Sequence, residues 1–169
     1  MAMRDLSISV HFARAVLKNA VEQGLDPISL LRKNRISPRL LLEENARISI
    51  ERFADLQVSV MLAMGDEALG YTSRRMPLGA WSMMCHAVIG CETLGQAIAR
   101  YCRFYQLFDF GVHCVLEQDD DLAHIRLVGV DRVPRDAPYL CELVLFNVHR
   151  FSSWLAQEIL PLQAVELGY

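Results

Sequence analysis

The chain of 169 residues has the length of a single domain, and its 53% hydrophobic residues can supply a substantial core. The net charge of −3 excludes a basic nucleic-acid-binding surface that covers the whole chain. No run of apolar residues is long enough to predict a membrane span, and the start "MAMRDLSISV" lacks the basic-then-apolar order of a signal peptide. We therefore expect a cytoplasmic protein with no membrane partner.

The chain begins with two predicted helices. Apolar residues at helical spacing predict a first helix that ends near Gly24; they are Val10, Ala13, Leu17 and Val21. Asp26 is then placed to cap a second, short helix that has Pro27 in its first turn. The glycine and the cap are local features, so they predict where the helices begin and end but not how the helices pack.

Two further helix starts follow. Ser37 before Pro38 repeats the cap-and-proline pattern over "SPRLLLEEN". Ser49 predicts the cap of a longer helix that runs through Met64, because Gly65 follows as a break. These elements together predict a helical amino-terminal layer.

The stretch "GAWSMMCHAVIGCETLGQAI", residues 79–98, predicts two helices that fold back on each other. The first carries an apolar stripe that ends before Gly90, made of Trp81, Met84, Cys85 and Val88. Thr93 and Gln96 have the spacing of a capping box, which begins the second helix. One face of that helix is lined by Leu94, Ile98, Tyr101 and Tyr105. We expect the two stripes to meet as a seam between the helices.

After Phe108 the apolar period changes from 3.6 to 2, which predicts an antiparallel β-hairpin. A turn centred on Asp119 and Asp120 would place Cys114 opposite Ile125 and Leu116 opposite Ala123. The apolar pattern then predicts a long helix over residues 138–159.

The final ten residues predict a strand, because Val165 and Leu167 alternate with Glu166 and Gly168. A strand that has no partner after it predicts that residues 1–169 are a fragment of a longer protein. The predicted fold class is α+β: a helical amino-terminal layer and a helix hairpin, then an antiparallel β-hairpin with a long packed helix and a truncated final strand. We expect residues 1–169 to form a single domain.

The sequence does not predict a metal or catalytic site. The five cysteines are an odd number and form no CxxC pair, which favours free thiols. Cys85 and His86 are neighbours that point about 100° apart on a helix, and Cys91 follows the helix break, so the three do not form a zinc site. No nucleophile, dinucleotide or phosphate-loop motif is present. We therefore expect no enzyme activity, no metal and no cofactor.

A direct DNA-binding function is an alternative for residues 28–45, where "LLRKNRISPRLLLEEN" has the outline of a helix-turn-helix. Residues 1–39 carry seven Lys or Arg against three Asp or Glu, a difference of +4. However, a helix-turn-helix prefers glycine at its turn, where this chain has Arg35. Glu43 and Glu44 on the second helix would also repel phosphates. A solvated basic edge is the other interpretation.

The sulfur-containing and aromatic side chains of the seam are the candidate ligand-binding residues. They are Trp81, Met84, Cys85, Tyr101, Tyr105 and Phe108. Each could be an ordinary core residue, but as a group they have the composition of an adaptable apolar pocket. They would suit an apolar or aromatic effector, and Arg100 or Arg103 could bind its polar head.

Several segments resemble a known family in their order and spacing. They are "GLDPISLLRKNRISPRLLLEENARISIERFADL", "GDEALGY" and "MPLGAWSMMCHAVIGCETLGQAIARYCRFYQLF". The elements that carry the resemblance are Asp26-Pro27 with Leu30-Leu31, Arg47-Ile48, Gly65-Asp66 with Leu69-Gly70, Gly79, and Thr93-Leu94-Gly95 with Ala97. From residue 8 to about residue 167, the chain resembles the amino-terminal effector domain of AraC/XylS-type transcriptional regulators, in the arabinose-binding-like subgroup.

This resemblance implies a regulatory domain that senses a small molecule or supports self-association as a homodimer. In such regulators a carboxy-terminal domain with two helix-turn-helix motifs binds DNA, and we expect that domain to be absent from this chain. The effector is a small molecule of unknown identity, and contact with DNA would occur only through the absent domain. A pure homodimerisation scaffold without ligand is the alternative that the sequence leaves open.

Overall fold

The computed structural model describes residues 6–108, 110–119, 121–130 and 138–168. Its elements in chain order are β1 (Ser7–Ser9), α1 (Val10–Glu22), α2 (Pro27–Lys33), a 3₁₀ helix (Pro38–Leu42), β2 (Arg47–Ser49), α3 (Ile50–Met64), α4 (Ala80–Val88), α5 (Leu94–Gln106), β3 (His113–Gln118), β4 (Ala123–Val128) and α6 (Tyr139–Ala156). The fold class is α+β, as the sequence predicts.

Helix ends follow the predicted local signals. The side chain of Asp26 accepts hydrogen bonds from the backbone N–H groups of Ile28 and Ser29 at the start of α2. Ser49 caps α3, and Gly65 ends that helix in a left-handed conformation with φ of 62°. The predicted caps of α2 and α3 and the break at Gly65 are thus confirmed.

Two short strands, which the sequence analysis did not predict, join the starts of α1 and α3. β1 and β2 pair antiparallel, with Ile8 opposite Ile48. The Val10 N–H donates to the Ala46 carbonyl, and the Ile50 N–H donates to the Leu6 carbonyl, each at 2.9 Å. The two strand-to-helix units therefore hold each other in place. Strands of three residues are too short to show an apolar period.

Two hydrophobic cores form in the described part of the chain. The amino-terminal core lies between α1, α2 and α3, with Val16, Leu31 and Leu56 completely buried. The carboxy-terminal core lies between α4, α5, the β3–β4 hairpin and α6. Val10, Ala13 and Leu17 of the predicted α1 stripe are buried, whereas Val21 in the last turn is exposed.

Helix α6 contributes to both cores. Tyr139 in its first turn lies in the amino-terminal core, with ring centroids 6.3 Å from Phe12 and 5.2 Å from Tyr71. Val148 and Phe151, two to three turns later, lie in the carboxy-terminal core. The helix spans Tyr139–Ala156 and is shorter than the predicted range of 138–159. A movement of α6 would therefore change the packing of both cores.

The Tyr139 hydroxyl is buried and has no hydrogen-bond partner among the residues that the structure describes. Because a buried unpaired polar atom lowers stability, we expect Tyr139→Phe to raise the free energy of unfolding by about 1 kcal/mol in urea denaturation. Tyr71→Phe is the matched control, because the Tyr71 hydroxyl donates to the Ala15 carbonyl at 2.7 Å. That variant should lose about 1 kcal/mol. Loss of stability in both variants would contradict the prediction for Tyr139.

The β3–β4 hairpin confirms the predicted faces but not the predicted register. Cys114 lies opposite Leu127, and Leu116 lies opposite Ile125, so the predicted partners were wrong by two residues. The turn is centred one residue later than predicted: the Asp119 N–H donates to the Leu122 carbonyl, and the last strand pair is Gln118 with Ala123. Asp120, half of the predicted turn, lies outside the described residues. A shift of two residues leaves every side chain on its predicted face.

One other prediction was wrong, and one of the alternatives does not form. Residues 161–168 are exposed and form no strand, because no strand edge of the described chain pairs with Val165 or Leu167. Residues 28–45 form no helix-turn-helix, because Pro38–Leu42 is a 3₁₀ helix of only 5 residues. The Arg14 guanidinium binds the Leu41 and Glu43 carbonyls and holds this segment against α1.

Candidate functional site

The predicted helix hairpin is present, and its caps explain where α5 begins. The Gln96 N–H donates to the Thr93 hydroxyl at 3.2 Å, while the Gln96 side-chain oxygen accepts from the Glu92 N–H at 3.2 Å. The reciprocal bond of the capping box thus reaches one residue further back than usual. Arg100 on α5 donates to the Ala87 carbonyl on α4 at 2.8 Å and joins the two helices near the turn.

Five of the six predicted site residues meet at the seam between α4 and α5. Met84 is fully buried and Tyr101 is 4% exposed. Cys85 and Tyr105 are half-buried, and Trp81 is 37% exposed. The Tyr101 ring lies 6.5 Å from the Trp81 ring and 5.0 Å from the Tyr105 ring. The seam therefore has a filled interior and an open end formed by Trp81, Cys85 and Tyr105.

Phe108 lies at the edge of this arrangement. It is 43% exposed, and its ring packs 5.0 Å from Phe104 and 5.4 Å from Phe110. Phe104 in turn lies 5.3 Å from Tyr105, so Phe108 reaches the seam only through another ring. The structure thus places Phe108 one ring away from the other five residues.

A third wall of the seam comes from α6. Phe151 lies 5.3 Å from Trp81 and 6.0 Å from Tyr101, and the exposed ring of Trp154 stacks on Phe151 at 6.0 Å. The sequence pattern places Phe151 on the apolar stripe of α6, but periodicity within one helix cannot show which helix it meets. Phe151 was therefore missing from the predicted site.

The segment "GDEALGY" positions the start of α4 with two carboxylates. Asp66 is buried and accepts backbone N–H bonds from Ala68, Gly70 and Met76. Glu67 accepts from the Gly79 N–H at 2.7 Å and from the Trp81 N–H at 2.8 Å. Glu67 was also missing from the predicted site, and its only signal was its position beside Gly65-Asp66 in the resemblance.

Three thiols of the carboxy-terminal core, those of Cys85, Cys102 and Cys114, have raised pKa values. Burial raises the pKa of Cys102 to about 11 and that of Cys114 to about 12. Burial also raises the pKa of Cys85, and the nearby charge of Glu67 raises it by a smaller amount. All five cysteines are free, and within the described ranges no three His, Cys, Asp or Glu side chains converge as metal ligands. A protonated thiol is a poor nucleophile.

These pKa values predict how stability changes at alkaline pH. Because the Cys102 and Cys114 pKa values are raised on folding, the native state binds more protons than the unfolded state above about pH 9. We expect the free energy of unfolding to fall as pH rises from about 9 to 12, and to be unaffected by these thiols below pH 9. Burial raises the pKa of Tyr101 and Tyr105 as well, which adds to the fall.

Urea denaturation at several pH values between 8 and 11 would test this, with a Cys102→Ala/Cys114→Ala variant as the control. The variant should show a shallower fall of stability with pH. An equal slope in the two proteins would contradict the assignment to these thiols.

A separate groove of about 380 Å³ lies between α5 and β3. It is lined by Ala99, Cys102, Arg103, Gln106, Val115, Leu116 and Gln118. Its volume is within the range of small-molecule sites. None of the six predicted residues lines this groove, but Arg103, predicted as a partner for a polar head, does.

The sequence profile of the arabinose-binding domain of AraC transcription regulators, an amino-terminal domain, matches residues 24–169. The chain belongs to this family. A search among curated proteins finds no match. The family consists of regulatory, ligand-sensing domains of transcription regulators, so the chain is a regulatory sensing domain. Within the described residues, no helix has both the length and the apolar composition needed to cross a membrane.

Proposed function

We propose that residues 1–169 form one effector-binding domain that senses a small molecule with an apolar or aromatic body at the seam. The binding residues in this proposal are Trp81, Met84, Cys85, Tyr101, Tyr105 and Phe108. The domain would act in the cytoplasm as a homodimer and bias a DNA-binding domain of the same regulator. It would not contact DNA itself.

The observation that carries this proposal is the position of α6. Its Phe151 forms one wall of the seam, whereas its Tyr139 lies in the amino-terminal core. An effector that separates Trp81 from Phe151 would shift α6 and change the packing against Phe12. An effector changes such an equilibrium only through its different affinities for the two states. The seam is therefore suited to convert binding into a movement of α6.

The effector would enter at the open end of the seam. Met84 and Tyr101 fill the interior, so binding requires the seam to repack. Methionine is suited to this because its unbranched side chain adapts to new neighbours at low cost. Trp81 and Tyr105 offer ring faces with polar tips at the entrance.

A thermal-shift screen against amino acids, fatty acids and aromatic acids tests the proposal. A ligand at a hundredfold excess over its Kd should stabilise the domain by about 2.7 kcal/mol. Trp81→Ala should remove most of this stabilisation, while Arg103→Gln in the α5–β3 groove should leave it unchanged. If Arg103→Gln removes the stabilisation and Trp81→Ala does not, the ligand binds in the α5–β3 groove and not at the seam. The absence of any stabilising compound in a broad library would contradict the sensing function.

A second candidate function is a homodimerisation scaffold, and the exposed face of α3 favours it. Ile50, Val58 and Leu62 are exposed apolar residues spaced by multiples of four along that helix. Sedimentation of the wild type and of Leu62→Glu would test this candidate. The scaffold would be favoured over the sensor by two results together: the wild type is a dimer that dissociates in Leu62→Glu, and no compound stabilises the protein.

A further inference from the structure

Glu67 places a negative charge at the entrance of the seam. Its carboxylate accepts hydrogen bonds from the Gly79 and Trp81 N–H groups, so it is held in the first turn of α4. In the described part of the chain, no basic side chain forms an ion pair with it. A carboxylate can accept about four hydrogen bonds, so two backbone donors leave it able to bind a ligand.

Aromatic rings lie next to this carboxylate. Glu67 binds the backbone of Trp81, and the Trp81 ring makes edge contacts with Tyr101 and Phe151. Tyr105 lies 5.0 Å from Tyr101 at the same end of the seam. The charge of Glu67 contributes, after burial, to the raised pKa of Tyr105, which agrees with their proximity.

Two tyrosine hydroxyls of the seam have no hydrogen-bond partner among the described residues. Tyr101 is 4% exposed, and neither its hydroxyl nor that of Tyr105 forms a hydrogen bond with any described residue. Neither hydroxyl oxygen is a buried polar atom without a partner, so both are accessible to solvent. These two groups are therefore available to a ligand that enters between Trp81 and Tyr105.

The two arginines suggested for the polar head, Arg100 and Arg103, have other surroundings. Arg100 is exposed and donates to the Ala87 carbonyl near the turn between α4 and α5. Arg103 is exposed and lines the α5–β3 groove. A polar head that bound Arg100 or Arg103 would therefore lie away from the entrance, where the charged side chain is Glu67.

We infer that the entrance formed by Glu67, Trp81 and Tyr105 binds a protonated amine attached to an apolar or aromatic body. The ammonium group would pair with the Glu67 carboxylate, and the faces of Trp81 and Tyr105 attract a cation within about 6 Å. The body would lie along the rings toward Phe151. This inference rests on the proposed sensing function and specifies the class of the effector.

Three probes of similar size test the charge preference: 2-phenylethylammonium, 3-phenylpropionate and 2-phenylethanol. Titration calorimetry on the wild-type chain should show that the ammonium probe binds at least about tenfold more tightly than the other two. This comparison needs no variant, so it does not depend on a substitution that disturbs folding. Equal or tighter binding of the carboxylate or the alcohol, or no binding of the ammonium probe, would overturn the inference.

Glu67→Gln removes the charge while its amide oxygen can still accept a backbone N–H bond. This variant should bind the ammonium probe about tenfold more weakly and leave the alcohol unchanged. Glu51→Gln is the matched control, because Glu51 is an acid in the first turn of α3. Unchanged ammonium affinity in Glu67→Gln would overturn the inference. A neutral or anionic effector found in the library screen would also overturn it while leaving the sensing function intact.

Discussion

Gly129→Ala is expected to lower the free energy of unfolding by roughly 3 kcal/mol or more. Gly129 has a φ of +84°, and a Cβ built on it would lie 1.9 Å from the Gly111 carbonyl oxygen. The neighbour is backbone at the open end of the β3–β4 hairpin, so it cannot move away as a flexible side chain could. For a chain of this size, we expect the Tm to fall by about 6–12 °C.

Gly24→Ala is the matched control for this substitution. Gly24 has nearly the same φ of +83°, but no atom lies within 4 Å of the built Cβ. It should lose only about 1–2 kcal/mol, the cost of placing alanine in a left-handed conformation. Urea denaturation of both variants separates the steric contact from the backbone conformation. Equal losses would contradict the close approach of Gly129 to Gly111.

Features set by a few neighbouring residues could be predicted from the sequence. Asp26, Ser49 and Thr93 cap helices as predicted, because a cap is a hydrogen bond between residues two or three positions apart. The cap at Ser37 forms no side-chain hydrogen bond, and the element after it is a 3₁₀ helix rather than an α-helix. Here the tertiary contacts of Arg14 decide the conformation.

Features that depend on a partner far along the chain could not be predicted. The register of the hairpin was wrong because the position of the turn, and not the apolar period, fixes it. Val165 and Leu167 alternate like a strand, but a strand forms only where another strand edge pairs with it. Helix stripes likewise predict which face is buried without naming the helix that buries it.

The difference between local and distant contacts also explains which residues of the candidate site could be predicted. Trp81, Met84, Cys85, Tyr101 and Tyr105 were found together because a short turn joins the two helices that carry them. Phe151 and Glu67 reach the seam from distant segments, so no local spacing indicates them. Glu67 adds a carboxylate beside Trp81 that the spacing of the helix stripes does not indicate.

The loop before α4 should be the part of the site most sensitive to mutation. We expect Asp66→Ala to lower the free energy of unfolding by about 4 kcal/mol, because three backbone donors lose a charged acceptor in a buried place. Asp66 is 2% exposed and holds Ala68, Gly70 and Met76 at 2.8–2.9 Å. Loss of these bonds would also release Glu67 and the start of α4.

Asp66→Asn and Asp26→Ala make this prediction specific. Asparagine can keep the bonds from Ala68 and Met76 to one oxygen, but its amide nitrogen would face the Gly70 N–H, so the loss should be smaller than for alanine. Asp26→Ala makes the same chemical change at an exposed cap that accepts two backbone bonds, and it should cost least. Urea denaturation should rank Asp66→Ala, Asp66→Asn and Asp26→Ala in that order of loss. If Asp26→Ala lowers the free energy of unfolding as much as Asp66→Ala does, the large loss at Asp66 does not come from burial of its carboxylate.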